Sequence, residues 1–416
     1  MQKVLCIGLV FPESASTAAG SRMLQLLHFF LEQNYQITFA SAAQQTDYVD
    51  DLESLGIDKV SIELNNANFD DFIKDLHPEI VVFDRFITEE QFGWRVAENC
   101  PNAIRILDTE DLHCLRQGRF EAFKEDKEFE LEQLNKLNIT KREIACIYRC
   151  DLSLIISPFE YNLLVEHFKI PKAILTELPF MLDEIPDKAI EQKRFFEQRQ
   201  DFISIGNFKH EPNWQSVLYL KKTIWPLIRK QLPSVNLLIY GAYPSQKVTD
   251  LHNEKEGFIV KGRVEDAHEV IANAKVLLAP LKFGAGLKGK HIDAMLNGTP
   301  SVTTTIGAEG MHNNLPWSGF IADKPKAFAD KAVQLFNDKA IWLHAQQNGI
   351  EIINTIYPKK QLAEKLNNKI HQIKQGLEAH RAQNFVGSML QHHSLMSTKY
   401  LSKWIEEKES NHSSGG

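Results

Sequence analysis

Residues 279–304 read APLKFGAGLKGKHIDAMLNGTPSVTT, and this stretch predicts a strand end, a glycine loop, a helix and a second strand. The apolar run 276–281 is typical of a buried strand. The helical segment HIDAML ends before Gly298 and Pro300, which are ordinary helix-stop signals. The loop between them contains three glycines that free the backbone to approach a ligand: Gly284, Gly286 and Gly289.

The same stretch predicts an anion site. Lys288 and Lys290 lie beside the predicted helix N-terminus, where backbone N–H groups and the helix dipole favour negative charge. A diphosphate is the most natural anion there, and Asp293, about one helical turn further on, would reach ribose hydroxyls. The loop is not a GxxxxGK[ST] motif, because His291 follows Lys290. Its GxGxxG pattern lies late in the chain and is weak evidence by itself.

Length and composition restrict the class of protein. The 416 residues suggest two domains plus extensions, and 43% hydrophobic with 24% charged residues is ordinary for a soluble globular protein. The net charge of −7 gives no reason to expect nucleic-acid binding. No apolar run is long enough for a transmembrane helix, and MQKVLCIGLVF is typical of a first strand rather than a signal peptide. Five scattered cysteines without CxxC spacing argue against disulfides and zinc, so we expect a cytoplasmic protein.

Apolar strands alternate with helical segments along the whole chain. The predicted strands are 3–11, 35–41, 79–86, 103–111, 151–157, 202–208, 236–243, 258–264, 276–281 and 300–305. This alternation predicts an α/β fold of two Rossmann-like parallel-sheet domains that face a cleft. We predict domains at 1–182 and 202–360, a linker at 183–201, helices at 361–409 and a disordered tail at 410–416. The charge-rich segment 119–149 is predicted to be a solvated helix pair without chemistry.

The second half resembles the donor domain of the GT-B glycosyltransferases, in particular the retaining family 4. Four segments carry the resemblance in the family's order: GNFKHEPNWQSVLYL (206–220), NLLIYGAYP (236–244), GFIVKGRVEDAHEVIANAKVLLAPL (257–281) and GLKGKHIDAMLNGTPSVTT (286–304). The first half resembles the acceptor domain more loosely. The resemblance implies that the C-terminal helices cross back onto the first domain, with Trp404 as a packing anchor.

The resemblance also implies roles for residues on the donor side. Asp293 stands where the family has a glutamate that holds the ribose, one methylene longer. Ala285 replaces a second family glutamate that contacts the sugar, so the sequence does not indicate which sugar is bound. Lys209 and the two loop lysines match phosphate contacts, and Arg263 with Val264 matches the nucleobase wall. The predicted donor-binding set is Gly206, Lys209, Arg263, Val264, Gly284, Gly286, Leu287, Lys288, Lys290 and Asp293.

Two segments of the first half are predicted to lie on the acceptor side. PESASTAAGSR (12–22) resembles the family's loop near the cleft, although a plain N-cap loop is an equal alternative. DTEDLHCLR (108–116) ends a strand with several polar residues, in a region where the family often has a histidine near the transferred sugar. The predicted acceptor-side residues are Gly20, Arg22, Asp111 and His113. The predicted catalytic residues are His113, Lys209 and Lys288.

The resemblance implies transfer of a sugar from a nucleotide diphosphate donor to a glycan, lipid-linked or other hydroxyl acceptor. It further implies retention, no metal and no cofactor, and a D-x-D motif for a metal is not found after an apolar strand. Lipid-linked acceptors would bring the protein to the inner face of a membrane. Three alternatives stay open: a nucleotide-sugar epimerase, a non-catalytic sugar-nucleotide binding protein, and an NAD-dependent oxidoreductase. The last predicts GxGxxG after the first strand, where the chain reads GLVFPE.

Overall fold

Two parallel β-sheets form the framework of the computed structural model, which describes residues 2–186 and 195–413. The first sheet has seven strands: β1 (Lys3–Gly8), β2 (Gln36–Ser41), β3 (Asp58–Ser61), β4 (Ile80–Asp84), β5 (Ile104–Asp108), β6 (Leu152–Ile155) and β7 (Leu175–Glu177). The second has six: β8 (Gln200–Ile205), β9 (Leu237–Tyr240), β10 (Phe258–Gly262), β11 (Ala274–Ala279), β12 (Ser301–Thr303) and β13 (Gly319–Ile321).

The strand order places a crevice in each sheet. The first sheet runs β3-β2-β1-β4-β5-β6-β7 and the second runs β10-β9-β8-β11-β12-β13. In each sheet the strand order reverses next to the strand that comes first in sequence, β1 in one sheet and β8 in the other. The chain connections on the two sides of that strand therefore run in opposite directions. In open parallel sheets such a switch point, at the carboxyl ends of the strands, is where ligands bind.

Helices cover both sheets. Those of the first domain are α1 (Ala18–Glu32), α2 (Asn68–Leu76), α3 (Arg85–Asn99), α4 (His113–Lys124), α5 (Asn138–Arg149) and α6 (Pro158–Asn162). The second domain has α7 (Glu211–Tyr219), α8 (Trp225–Gln231), α9 (Gln246–Thr249), α10 (Ala267–Asn273), α11 (Gly289–Leu296), α12 (Thr305–Ala308), α13 (Pro325–Asn337) and α14 (Lys339–Ile356). The C-terminal helices are α15 (Lys359–Gln375), α16 (Leu377–Gln383) and α17 (Phe385–Ser413).

Helix α1 illustrates how the sequence builds this layer. The Thr17 side chain accepts a hydrogen bond from Gly20 N at 2.9 Å and so satisfies one of the free N–H groups at the helix start. Met23, Leu26 and Phe30 follow at helical spacing and are buried against the first sheet. The start of α1 is therefore held at the carboxyl end of β1, beside the crevice.

The chain crosses between the domains twice, and the two crossings run side by side. Leu182 N donates to Tyr357 O and Lys359 N donates to Leu182 O, both at 2.8 Å. Helix α15 then packs on the first sheet, where Leu366 and Ile370 belong to the same buried cluster as Val4. The C-terminal helices therefore lie on the first domain, although they follow the second domain in sequence.

The predicted fold of two parallel-sheet α/β domains is confirmed, with differences in detail. The sequence patterns missed β3, β7 and β13, which are short strands at sheet edges. The prediction that residues 119–149 form a solvated helix pair is wrong, because Arg119, Glu143 and Arg149 in this segment are buried and have polar partners. Trp404 is not a packing anchor either, since it is 60% exposed.

The predicted domain limits stay predictions. Part of the predicted linker, 187–194, lies outside the described residues, and so do 414–416 of the predicted tail. Strand β8 begins at Gln200, within the predicted linker, and helix α17 runs to Ser413, within the predicted tail.

Candidate active site

A cavity of about 1000 Å³ lies between the carboxyl ends of the two sheets. Leu9, Arg85 and Glu110 line it from the ends of β1, β4 and β5, while Gly206 and Leu281 line it from the ends of β8 and β11. A second groove of about 620 Å³ lies at the outer edge between β7 and α15, away from both switch points. We therefore place the candidate active site in the cleft.

The cavity brings together all ten residues predicted for the donor side, which span positions 206 to 293. Asp111 and His113 of the predicted acceptor side also line it. Gly20 and Arg22 lie behind the wall instead, and Arg22 is 1% exposed with its guanidinium bonded to Asp108. The roles of the lining residues stay predictions. Arg22 does not line the cavity, although its charge acts on the lining residue Glu110.

The glycine loop leads into α11, which begins at Gly289, two residues before the predicted helical segment HIDAML. Lys290 Nζ donates to Asn213 Oδ1 at 2.8 Å, and burial lowers the pKa of Lys290 to about 8. No carboxylate pairs with Lys290 among the described residues. An ammonium group that is buried without a counter-ion at a helix N-terminus is a strong site for an anion.

Lys288 has a different environment from Lys290. Its Nζ donates to Gly286 O at 2.7 Å, and Glu309 and Glu160 lie near it. Burial lowers the pKa of Lys288 to about 8, while the two carboxylates oppose that shift. Lys288 therefore already has partial charge compensation within the protein, and Lys290 is the stronger candidate for a phosphate contact.

Asp293 lines the cavity one turn into α11. Burial raises its pKa to about 6, and the nearby His268 opposes the shift. At neutral pH the carboxyl is mostly ionised and can accept hydrogen bonds from hydroxyl groups, as predicted for a ribose.

Two first-domain side chains hold the glycine loop across the cleft. The carboxylate of Glu160 accepts from Gly286 N at 2.7 Å and from Leu112 N at 3.2 Å. Arg119 donates to Gly284 O at 2.8 Å and pairs with Glu309 at 2.7 Å. The N–H of Gly286 is therefore already bonded within the protein, which differs from the expectation that the loop amides face a phosphate.

His113 lies at the start of α4 on the first-domain side. Its Nε2 is 3.6 Å from Asp111 Oδ1, beyond hydrogen-bond distance, and Phe86 packs edge-on against its ring. Burial lowers the pKa of His113 to about 4, although Asp111 opposes the shift. The imidazole is therefore neutral at pH 7 and can accept or donate a hydrogen bond.

Two tyrosine rings pack against basic residues of the predicted donor side. The Arg263 guanidinium lies 4.1 Å from the Tyr48 ring centroid, and Lys209 Nζ lies 3.5 Å from that of Tyr243. Tyr243 also donates to Glu13 of the first domain at 2.9 Å. The sequence analysis gave neither tyrosine a role: Tyr48 lies in a loop, and Tyr243, which ends the predicted strand 236–243, lies beyond the observed strand β9.

Gly286 touches the opposite domain, and its replacement tests that contact. A Cβ on Gly286 would lie 2.8 Å from the Asp111 Cβ, and its φ of +64° disfavours side chains. We expect Gly286→Ala to lower the free energy of unfolding by more than the about 1–2 kcal/mol that left-handed backbone alone costs. It should also enlarge the radius of gyration in small-angle scattering, because the domains are pushed apart.

Gly56→Ala is the matched control for that variant. Gly56 has a similar φ of +76°, but a Cβ there would meet nothing within 4 Å. Equal destabilisation of the two variants, with an unchanged radius of gyration for both, would contradict the contact between Gly286 and Asp111 in solution.

The described part of the chain offers neither a metal site nor a membrane-spanning helix. Within the described residues, no three His, Cys, Asp or Glu side chains form a group that would hold a metal ion. All five cysteines are buried and unpaired with one another. No helix in the described part of the chain is both long and apolar enough to span a membrane.

Residues 199–338 match the family model described as Glycosyl transferases group 1. The structure is similar to sucrose-phosphate synthase from Thermosynechococcus elongatus (14% identity, 90% of this chain, 99% of that chain, TM-score 0.64). It is also similar to an S. aureus TarM mutant solved with fondaparinux, alpha-GlcNAc-glycerol and UDP (11% identity, 89% of this chain, 99% of that chain, TM-score 0.68). A third similar structure is Anabaena Alr3699/HepE in complex with UDP and glucose (10% identity, 89% of this chain, 100% of that chain, TM-score 0.62).

The protein has the GT-B fold of the glycosyltransferases to which it is similar. Its second domain is a domain of the glycosyl transferases group 1 family. A curated relative, described as an uncharacterized 44.6 kDa protein in the cps region of Klebsiella pneumoniae, is 22% identical over 167 residues. That match covers 38% of this chain and 43% of the relative, less than half of either protein.

Proposed function

We propose that the protein transfers a sugar from a nucleotide diphosphate donor to an acceptor hydroxyl, with retention and without a metal or other cofactor. The main observation in support of a nucleotide-donor site is the environment of Lys290. Its ammonium group is largely buried at the N-terminus of α11 and has no carboxylate partner among the described residues. The UDP in the similar TarM and HepE structures supports a nucleoside diphosphate as the leaving group. Retention rests on the resemblance to family 4.

The reaction breaks the bond between the sugar's anomeric carbon and the diphosphate oxygen. A bond forms between that carbon and the acceptor oxygen, and the acceptor's hydroxyl proton passes to the departing diphosphate or to water. Negative charge grows on the leaving oxygen, and Lys209, Lys288 and Lys290 with the N-terminus of α11 would stabilise it there. These groups need no reorganisation during the step because the loop is already held by Glu160 and Arg119.

The experiment that tests this function has two stages. A thermal-shift screen with UDP, GDP, ADP, dTDP, CMP, NAD and sugar conjugates identifies the donor, because a ligand at 100 times its dissociation constant adds about 2.7 kcal/mol of stability. NMR of the preferred donor with acceptor alcohols then follows the anomeric configuration of the product. A retained anomer, with release of the nucleoside diphosphate and no added metal, supports the proposal.

Other outcomes identify the alternatives. Conversion of the donor to its epimer without release of the nucleoside diphosphate would identify an epimerase. Nucleotide binding without turnover would identify a binding protein, and Ala285 in the place of the family's sugar-contacting glutamate keeps that alternative relevant. Stabilisation by NAD alone would identify the site as that of an NAD-dependent oxidoreductase.

The affinity for the nucleoside diphosphate should fall at high pH. Burial holds the pKa of Lys288 and Lys290 at about 8 in the free protein, and a bound diphosphate would raise both values. Binding is therefore strongest below pH 8 and weakens above it. We expect the dissociation constant to rise roughly ten- to hundredfold between pH 7 and pH 9, with proton uptake on binding near pH 8.

Isothermal titration calorimetry in two buffers of different ionisation enthalpy measures this proton uptake. Lys282→Ala is the control, because Lys282 is exposed on the same segment and should leave the pH profile unchanged. A pH-independent affinity from pH 7 to 9 would show that neither buried lysine contacts the diphosphate.

The proposed acceptor is a glycan, a lipid-linked saccharide or another alcohol. The sugars in the similar TarM structure support a saccharide acceptor. Contact with a membrane, like the cytoplasmic location, stays a prediction.

A further inference from the structure

Arg85 and Glu110 follow the carboxyl ends of the neighbouring strands β4 and β5, one residue after Asp84 and two residues after Asp108. Each follows its strand closely, and both line the first-domain wall of the cavity. Both also have left-handed backbone, with φ of 67° and 61°. This conformation is unfavourable for residues with long side chains, and it recurs at functional sites because the surrounding structure imposes it there.

The Glu110 side chain is a second unfavourable feature at the same place. It is 7% exposed, and its Oε1 is buried without a hydrogen-bond partner among the described residues. Burial, followed by the charge of Asp108, raises the pKa of Glu110 well above its usual range, against the effects of Arg85 and Arg22. The carboxyl is therefore protonated more readily than an ordinary glutamate, and in its protonated form it can donate one hydrogen bond and accept another.

The position of Glu110 sets which substrate it can reach. The next residue, Asp111, is the first-domain residue that a Cβ on Gly286 would touch, so the segment 110–111 faces the donor loop directly. Arg85 lies on the same wall, 3.4 Å from Asp84 through its Nη1. A sugar held by the donor loop would thus meet its acceptor beside these two side chains.

We propose that Glu110 and Arg85 form the acceptor subsite and bind two neighbouring oxygens of a polyhydroxy acceptor, such as a saccharide. The Glu110 carboxyl bonds one hydroxyl, and the Arg85 guanidinium donates to the next oxygen. A simple alcohol with one hydroxyl satisfies one of the two groups and is a poor acceptor. This inference rests on the proposed glycosyltransferase function and specifies the acceptor side of the same site.

The melting temperature of a Glu110 variant distinguishes a role in acceptor binding from a role in stabilising the fold. Glycine adopts the left-handed backbone without strain and removes the unpaired buried carboxyl. Glu110→Gly should therefore raise the melting temperature while it abolishes the preference for polyhydroxy acceptors. A residue that stabilised the fold would lower the melting temperature when replaced.

The test compares wild type, Glu110→Gln, Glu110→Gly and Arg85→Met with the donor identified by thermal shift. The probes are methyl glucoside, methyl galactoside and glycerol, with 1-propanol as the simple alcohol and water as the background acceptor. We expect kcat/KM for the polyhydroxy probes to fall about tenfold or more in each variant. Donor affinity should stay within about twofold, and transfer to water should fall less than transfer to the polyhydroxy probes. Glu121→Gln, on the exposed surface of α4, is the control.

Three results would overturn the inference. The first is that no polyhydroxy probe accelerates nucleoside diphosphate release by the wild type above the rate with 1-propanol. The second is an equal loss of transfer to the probes and to water, which would assign Glu110 to the donor. The third is a lower melting temperature for Glu110→Gly. A wild type that binds no nucleotide would instead contradict the donor site itself, so the two failures are distinguishable.

Discussion

Lys290→Ala should lower kcat/KM for sugar transfer by about 10²–10³, because it removes a positive charge that is aimed at the leaving diphosphate. Asn213 holds this ammonium in place: its Nδ2 donates to Asn207 O at 2.9 Å, which directs its Oδ1 toward Lys290. Lys209 is exposed and lies over the Tyr243 ring, and Lys288 is close to two carboxylates. Lys290 therefore has the least compensation of the three, and its loss should have the largest effect.

Stability provides an independent measurement on the same variants. The fold lowers the pKa of Lys290 to about 8, so below that pH the lysine is charged and destabilises the folded free protein, and this cost fades as the pH rises toward the ordinary lysine value. Lys290→Met removes that unfavourable charge and should raise the melting temperature at pH 7 while it weakens nucleotide binding. Lys282→Ala should change neither quantity. A lower melting temperature together with unchanged binding would show that Lys290 serves the fold rather than the diphosphate.

Arg22→Met should lower the free energy of unfolding by about 3–5 kcal/mol, because it leaves the buried carboxylate of Asp108 without its partner. The Arg22 guanidinium lies 2.9 Å from Asp108 Oδ1 and also donates to Leu178 O at 2.7 Å. These bonds hold the end of β5 and the segment after β7 together. Chemical denaturation measures the loss, and the extrapolated slope shows whether unfolding remains two-state.

Arg142→Met is the control for this ion pair. Arg142 pairs with Glu90 at the surface, where such pairs contribute about 0–1 kcal/mol. If Arg22→Met left stability unchanged and weakened acceptor binding instead, the sequence-based assignment of Arg22 to the acceptor side would be right and the buried role wrong.

The sequence predicted the fold well because the strands inside the sheets are strongly apolar. Strand β4 is IVVFD and all of its residues are buried, so its apolar run could be recognised in the sequence. The edge strand β3 is DKVS, with exposed and half-exposed residues, and it has no such run. The glycine loop and the start of α11 could also be predicted, because local turn and helix signals determine them.

The acceptor side was predicted less well, and Arg22 shows why. Its place in α1, next to Met23 and four residues before Leu26, puts it on the buried stripe of the helix. That signal was present in the sequence but was outweighed by the assumption that an arginine near a cleft faces the ligand. Glu110 and Arg85 had no comparable signal, because left-handed backbone and a missing partner become visible in three dimensions alone.

Contacts across the cleft were also beyond the sequence patterns. Arg119 and Glu309 are separated by 190 positions, and Glu160 meets Gly286 across 126 positions. No periodicity or spacing relates such residues. The segment that contains Arg119 has many charges, and a charge count does not distinguish a solvated side chain from one that pairs with another domain.

The paired crossings at Leu182 and Lys359 restrict how the two domains can separate. A single connecting strand would let one domain swivel and translate freely, whereas two hydrogen-bonded strands leave mainly rotation about one axis. The partners across the cleft then stay at a high effective concentration even when the cleft is open. Because the paired crossings keep Arg119 and Glu309 near each other, forming their contact costs little conformational entropy.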